Sequence, residues 1–349
     1  MAARQGRPLR SGSVDVTGIL ELEPLAGDLA RVEAALKASV ETDDPFLTDV
    51  ATHLIGAGGK RIRPILVLAA ASACDGYRGP VSDDAVMGGV AVELVHLGSL
   101  YHDDVIDEAE TRRGVQSVNA RWNNVIAILA GDFLLARASE IAARLGTEVA
   151  ELLASTIGDL CKGQVLELRH AFAVERDEAA YFGAIEGKTG ALMSTACRIG
   201  ALVAGHDRDV IDRLTGFGQT LGALFQIVDD VLDVTATEAQ LGKPAGQDIA
   251  EGIYTLPVIR ALADPEHGPA LRALLGGPVG DGDLEEARHL VEAAGGVAAA
   301  RTVADETATR AAALLDGAGG TGSGRDGPLD TDVVAALRRL TWSLVERSD

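Results

Sequence analysis

Residues 93–114 read ELVHLGSLYHDDVIDEAETRRG, and residues 225–233 read FQIVDDVLD. Each contains the pattern Asp-Asp-x-x-Asp, at 103–107 and again at 229–233, within an otherwise apolar stretch. On an α-helix Asp103 and Asp107 lie one turn apart on one face, so their carboxylates converge, and the second copy repeats the arrangement. A single run of this kind is more often a solvated acidic face than a site. Two copies embedded in apolar helices reverse that balance, because burying paired carboxylates is costly unless a cation compensates. Hard cations such as Mg2+ take carboxylate oxygens and waters and complete their shell with phosphate oxygens, so two facing clusters suit one diphosphate.

The surroundings of both motifs predict helix. No proline falls between Pro80 and Pro244, where average usage would put about eight. The stretch is rich in Ala and Leu, with apolar spacing of three and four, as in Val125, Leu129, Phe133 and Ala136. The expected fold is all-α, a single large helical bundle. Two Gly-dense segments, 276–283 and 316–328, predict loops, and the last helix is expected from about Thr331. Residues 1–18 read as a flexible N-terminal extension, and 19–349 as one domain carrying the Gly-rich loop near 316–328. Arg4, Arg7 and Arg10 are not followed by the apolar segment of a secretory signal.

Composition removes several function classes. A formal net charge of −21 makes nucleic acid a poor partner, since its backbone demands a surplus of Lys and Arg. Cys74, Cys161 and Cys197 form no CxxC and are odd in number, which predicts a reducing, cytoplasmic setting. The most apolar run, Leu214 to Val228, is interrupted by Gln219 and Gln226, so no spanning helix is expected. No basic amphipathic helix marks an anchor, leaving at most transient membrane contact.

An acidic site that handles a diphosphate also needs local cations. GGKRIRP at 58–64 places Lys60 and Arg63 three apart after a glycine pair; Arg112-Arg113-Gly114 follows the first acidic motif; Lys188-Thr189 and Gly242-Lys243-Pro244 add more. Each alone is a common surface charge. Taken in order with AGDFLLARA (130–138), GKTGALM (187–193) and GKPAGQDIAEG (242–252), they make the chain resemble the trans-isoprenyl diphosphate synthase family from about Leu20 to Arg347.

That resemblance implies helices around a deep central cavity and a Mg2+-dependent prenyltransferase, holding two or three ions with Mn2+ as a substitute. It implies the condensation of isopentenyl diphosphate with an allylic diphosphate, farnesyl or geranylgeranyl. Lys60, Arg63, His96 and Arg113 match the positions that hold isopentenyl diphosphate. Asp103, Asp107 and Asp229 match the principal metal ligands, with Asp104, Asp230 and Asp233 as their companions in the catalytic set. Arg112, Lys188, Thr189, Gln226 and Lys243 match groups that contact the allylic diphosphate, and Lys188 belongs to the catalytic set as well. The released pyrophosphate is the implied base, so His102 is expected to brace Asp103 rather than to move protons. A homodimer is implied too.

One position departs from the pattern. Where the family often reads EGKxT, this chain has Glu251-Gly252-Ile253-Tyr254-Thr255, so one cation is absent. Short-chain relatives commonly carry bulky aromatics four or five residues before the first motif; here those positions are Ser99 and Gly98, which predicts an open path for a long polyprenyl chain of the kind used in quinone side chains. Tyr101 is expected in the core. The competing readings are a short-chain synthase making geranylgeranyl or farnesyl diphosphate, a non-catalytic subunit of a heteromeric synthase, and a class I terpene cyclase; Lys60, Arg63 and Arg113 argue against the cyclase, which needs no second diphosphate pocket.

Overall fold

The computed structural model describes residues 16–236, 245–316 and 328–347. The chain opens with α1 (Val16–Leu20), α2 (Leu25–Ser39), α3 (Pro45–Gly56) and α4 (Ile62–Ala71). The proline-free stretch folds as α5 (Asp83–Ile106), α6 (Val118–Arg121), α7 (Asn124–Leu145), α8 (Thr147–Arg169), α9 (Glu178–Ile185), α10 (Ala191–Ala204) and α11 (Arg208–Thr235). Then follow α12 (Gln247–Ala250), α13 (Leu256–Leu262), α14 (Gly268–Leu274), α15 (Asp281–Ala293), α16 (Gly296–Leu314) and α17 (Thr331–Val345). Among the described residues no helix is long and apolar enough to cross a membrane.

The two acidic motifs end the two longest helices. α5 starts at Ser82, whose hydroxyl accepts from the Ala85 amide at 3.2 Å, and Asp83 and Asp84 in the first turn complement the helix dipole. Its middle, Val90 to Leu97, is apolar nearly all round because α4, α7 and α10 pack on it from several sides. α11 lies between α10 and α16 and buries Leu214, Phe217, Leu221 and Leu224 on one stripe. Small residues let these helices approach closely: a Cβ on Gly200 of α10 would lie 2.2 Å from the Val67 carbonyl oxygen of α4. Tyr101 is fully buried, its hydroxyl donating to the Val50 carbonyl at 2.8 Å, as expected of a core aromatic.

Four local expectations are adjusted. One antiparallel ladder, Thr111–Arg112 with Val115–Gln116 (β1 and β2), interrupts the helices; it is too short for strand periodicity to show in the sequence. α1 begins at Val16, inside the segment read as an extension. α15 begins at Asp281, inside the segment read as a loop, and Gly282 within it has no left-handed backbone to bar a helix. The Val125–Ala136 spacing does form a helix, α7, yet Val125 and Leu129 are 64% and 57% exposed rather than core. Lys243 and most of the Gly-rich segment 316–328 lie outside the described residues.

Candidate active site

A cationic pocket forms where the α3–α4 loop meets the hairpin. Arg113 and Gly114 occupy its two-residue turn, both left-handed at φ +54° and +76°, the type I′ geometry that suits a tight hairpin. The turn lays the Arg113 guanidinium over Gly59, where a Cβ would meet Nη1 at 2.8 Å, and Arg113 donates to the Gly58 carbonyl. Arg113 Nη2 lies 3.5 Å from His96 Nε2 on α5. Arg63 stands close enough that burial first, and then Arg113, push its pKa down to about 10. Burial, with Arg63 and Arg113 beside it, holds His96 well below the usual histidine range, so it is neutral and able to donate a hydrogen bond. Arg63, His96 and Arg113 are thereby brought together, while Lys60, half-buried, has Asp229 and Arg347 as its electrostatic neighbours.

Sequence reading overlooked what holds these cations in place. Glu93, 1% exposed on α5, pairs with Arg61 at 2.7 Å and lies 4.0 Å from Arg113, while Arg61 also binds Glu33. Glu93 sits one turn before His96 and Leu97 in an apolar run, and that placement is the signal that would have revealed it. Glu93→Gln is expected to destabilise the fold by about 3 kcal/mol, since the buried Arg61 guanidinium then keeps only Glu33 and Arg113 loses its nearby carboxylate. Urea denaturation read by circular dichroism measures the shift.

The acidic motifs divide their labour. Asp103 is pushed up to about 6 by burial, with Lys188 opposing and Asp107 adding to the shift. Asp104 turns the other way: fully buried, its Oδ1 accepts from Arg112 Nε and Nη2, each at 2.6 Å, and so aims that arginine. Its Oδ2 is buried without a partner. In the second motif Asp229 is exposed and sits within electrostatic reach of Lys60. Asp230 is buried and receives Tyr181 Oη at 2.5 Å and Gln226 Nε2 at 2.9 Å, while Thr189 donates to Gln226 Oε1 at 2.9 Å. Asp233 accepts from the Asp248 amide at 3.1 Å, tying α12 to α11. Tyr181 carries no motif signal and was missed.

Lys188 and Thr189 ride on a π-helical turn, Glu186–Gly190, between α9 and α10. Such turns are frequent at functional sites, where the extra residue re-aims side chains. Here α8 crosses at contact distance: a Cβ on Gly163 would lie 2.6 Å from the Lys188 amide nitrogen. Lys188 consequently reaches Glu167 on α8, and although burial works against its charge, Glu167, Asp103 and Asp107 outweigh it and raise its pKa. His102 departs from expectation. Its Nε2 is 3.2 Å from the Ile128 carbonyl and 3.4 Å from Asp132 Oδ1, and it packs on Gly131, so it braces α7 rather than Asp103; adjacent helical residues point about 100° apart.

A cavity of about 410 Å3 lies between the motifs, lined by Asp107, Arg112, Lys188, Thr189, Gln226 and Asp230 among others, with Ile253 on its wall. Its donors are hard oxygens. Asp103 and Asp107 crowd each other on one helix face, a charge that a divalent cation relieves, so the residues fit Mg2+. Among the described residues no three acidic, His or Cys side chains form a complete metal cage, and Mg2+ characteristically draws its remaining ligands from phosphate and water.

A sequence profile described as polyprenyl synthetase matches residues 44–293. The chain is similar to nonaprenyl diphosphate synthase of Mycobacterium tuberculosis, 39% identical over 304 residues that span 85% of this chain and 89% of that one. It is similar to heptaprenyl diphosphate synthase component 2 of Geobacillus stearothermophilus, 40% identical over 297 residues, or 84% and 90% of the two chains. A polyprenyl synthase from Caulobacter crescentus CB15, crystallised with calcium and isoprenyl diphosphate, matches the fold with a TM-score of 0.85 at 31% identity, covering 98% of this chain and 100% of that one.

Proposed function

The chain belongs to the polyprenyl synthetase family, and from that premise we propose that it is a prenyltransferase extending an allylic diphosphate with isopentenyl diphosphate to a long trans-polyprenyl diphosphate of the kind attached to quinones. The observation that carries this reading is the pairing of two sites of opposite design. One is cationic, built of Arg63, His96 and Arg113, to which the family motif adds Lys60; the other is acidic, with Lys188, Arg112, Thr189 and Gln226 around it. A chemistry that joins two diphosphates needs both.

In this reading the cationic pocket holds isopentenyl diphosphate by direct contact with its oxygens. Asp103, Asp107 and Asp229 hold Mg2+, which when bound neutralises the allylic diphosphate and favours its departure. Lys188 and Arg112 face that departing group, Arg112 aimed by Asp104. As the allylic C–O bond breaks, the isopentenyl double bond forms the new C–C bond, and a proton is then lost to the pyrophosphate. No protein side chain is required as base: burial and the neighbouring arginines lower the pKa of His96 and make it a weak base, and His102 is turned to α7. Fixed cations in a buried setting supply the electrostatic stabilisation.

Metal binding should follow the titration of Asp103. Its folded pKa, about 6, lies above the ordinary carboxylate value of 3.8. The metal-free protein therefore holds this proton until pH passes 6, and a metal must displace it below that point. The rise in Tm given by 5 mM Mg2+ is expected to be largest at pH 8 and to shrink below pH 6, where affinity falls about tenfold per pH unit. A Tm increment independent of pH would remove Asp103 from the ligand set.

A second copy of the chain is the partner that α7 fits. Val125, Ile128 and Leu129, at i, i+3 and i+4, form one exposed apolar stripe, 64%, 44% and 57% accessible. Light scattering is expected to give a dimer. Purified protein with Mg2+, farnesyl diphosphate and isopentenyl diphosphate should yield products of six or more isoprene units by mass spectrometry. An inactive monomer that gains activity only with another protein would instead match the component-type relative.

A further inference from the structure

We infer that Arg176 is a ligand of the allylic diphosphate and of the pyrophosphate it releases, supplying from the α8–α9 loop the positive charge that Ile253 does not; the inference rests on the function proposed above. Among the described residues, the cavity between the two motifs is lined by six acidic side chains and three basic ones, Arg112, Arg176 and Lys188. Two of the three bases are already paired with carboxylates: Arg112 with Asp104 and Lys188 with Glu167. Arg176 has no carboxylate within salt-bridge distance among the described residues. It is 5% exposed, its Nη1 donates to the Tyr254 carbonyl at 3.1 Å, and its Nε is buried with no partner.

A guanidinium left this poorly satisfied is costly unless an anion arrives, and burial lowers its pKa accordingly, with Glu167 and Asp230 compensating only in part. Its location fits that role. The carbonyl it grips belongs to the residue directly after Ile253, and both Arg176 and Ile253 line the same cavity. The guanidinium carbon lies 5.7 Å from the centre of the Tyr181 ring, whose hydroxyl holds Asp230. A flat cation steadied on an aromatic face keeps its remaining N–H groups available for a phosphate oxygen.

The test separates a ligand from a structural staple. Arg176→Met is expected to weaken binding of magnesium pyrophosphate, measured by calorimetry, and to raise the KM for farnesyl diphosphate, each by about ten- to hundredfold. The KM for isopentenyl diphosphate should stay within about twofold. Adding Ile253→Lys to that variant should recover at least about tenfold of the lost affinity, which a staple for the Tyr254 carbonyl would not permit. Equal effects on both substrates, or a folded double variant with no recovery, would overturn the proposal. Should Arg176→Met fail to fold, Ile253→Lys alone decides: with Arg176 already in place it tightens pyrophosphate less than about threefold, and a gain of tenfold or more would show that the charge had been missing. Wild-type protein that neither condenses the two substrates nor binds pyrophosphate defeats the functional reading itself, whereas an active wild type with contrary variants defeats only the role of Arg176.

Discussion

Asp103→Asn is expected to lower kcat by about 10²–10³-fold or more while leaving the fold at least as stable as wild type in metal-free buffer at pH 8. On the proposed function, the activity loss follows from removing one of the carboxylates that hold the metal on the departing diphosphate, whose stabilisation in a water-poor site is worth several kcal/mol. The stability gain has a separate origin. The folded pKa of Asp103, about 6, exceeds the ordinary 3.8 chiefly through burial. A carboxyl with a raised folded pKa stabilises the fold only while it is protonated, and that contribution is lost as pH climbs through 6. At pH 8 wild type carries an ionised, half-buried Asp103 beside Asp107, whereas the neutral amide carries no such burden. Loss of activity together with an unchanged or higher Tm cannot come from unfolding, and the KM for isopentenyl diphosphate should hold because its cationic pocket is separate. Turnover within tenfold of wild type would remove Asp103 from the chemistry. Such a trade of stability for function is what a site poised to receive a cation predicts.

The legible part of this protein was its periodicity and its charge clusters. Two Asp-rich motifs in apolar context gave the helices that now end at the cavity, and the order of basic motifs gave the two regions proposed to bind diphosphate. The rest depended on contacts between distant segments. Glu93 looks like a stray acid until α4 and the hairpin bring Arg61 and Arg113 to it. Tyr181 and Arg176 belong to no motif and gain meaning only when α9 lies against α11. The π-helical turn under Lys188 is invisible to a 3.6-residue pattern because it is a local departure from that pattern. Asp104 shows the limit from the other side: grouped with its neighbours by sequence, it is directed by the helix toward Arg112.

The same face analysis predicts that Ser99→Phe and Gly98→Phe, one residue apart, fail in different ways. His96, Ser99 and Asp103 recur at intervals of three and four, so they share one stripe of α5, the one assigned above to the proposed substrate sites. Ser99 is half-buried there, its hydroxyl turned back to the His96 carbonyl at 2.9 Å, and it presents little bulk to a hydrocarbon growing away from Asp103. Gly98 lies on another stripe with His102 and meets α7, where even a Cβ would be 3.0 Å from the Gly131 carbonyl oxygen and 3.2 Å from Leu135. Gly98 thus serves the helix crossing, and the proposal of an open path for the growing chain rests on Ser99. Ser99→Phe should remain folded and active and stop its product at three or four isoprene units. Gly98→Phe should lose at least about 1–3 kcal/mol of stability by overpacking, whatever it makes. Mass spectrometry of products beside urea denaturation reads both; long products from Ser99→Phe would place the growing chain on a different face of α5, and an undisturbed Gly98→Phe would mean that α5 and α7 part more easily than their close crossing implies.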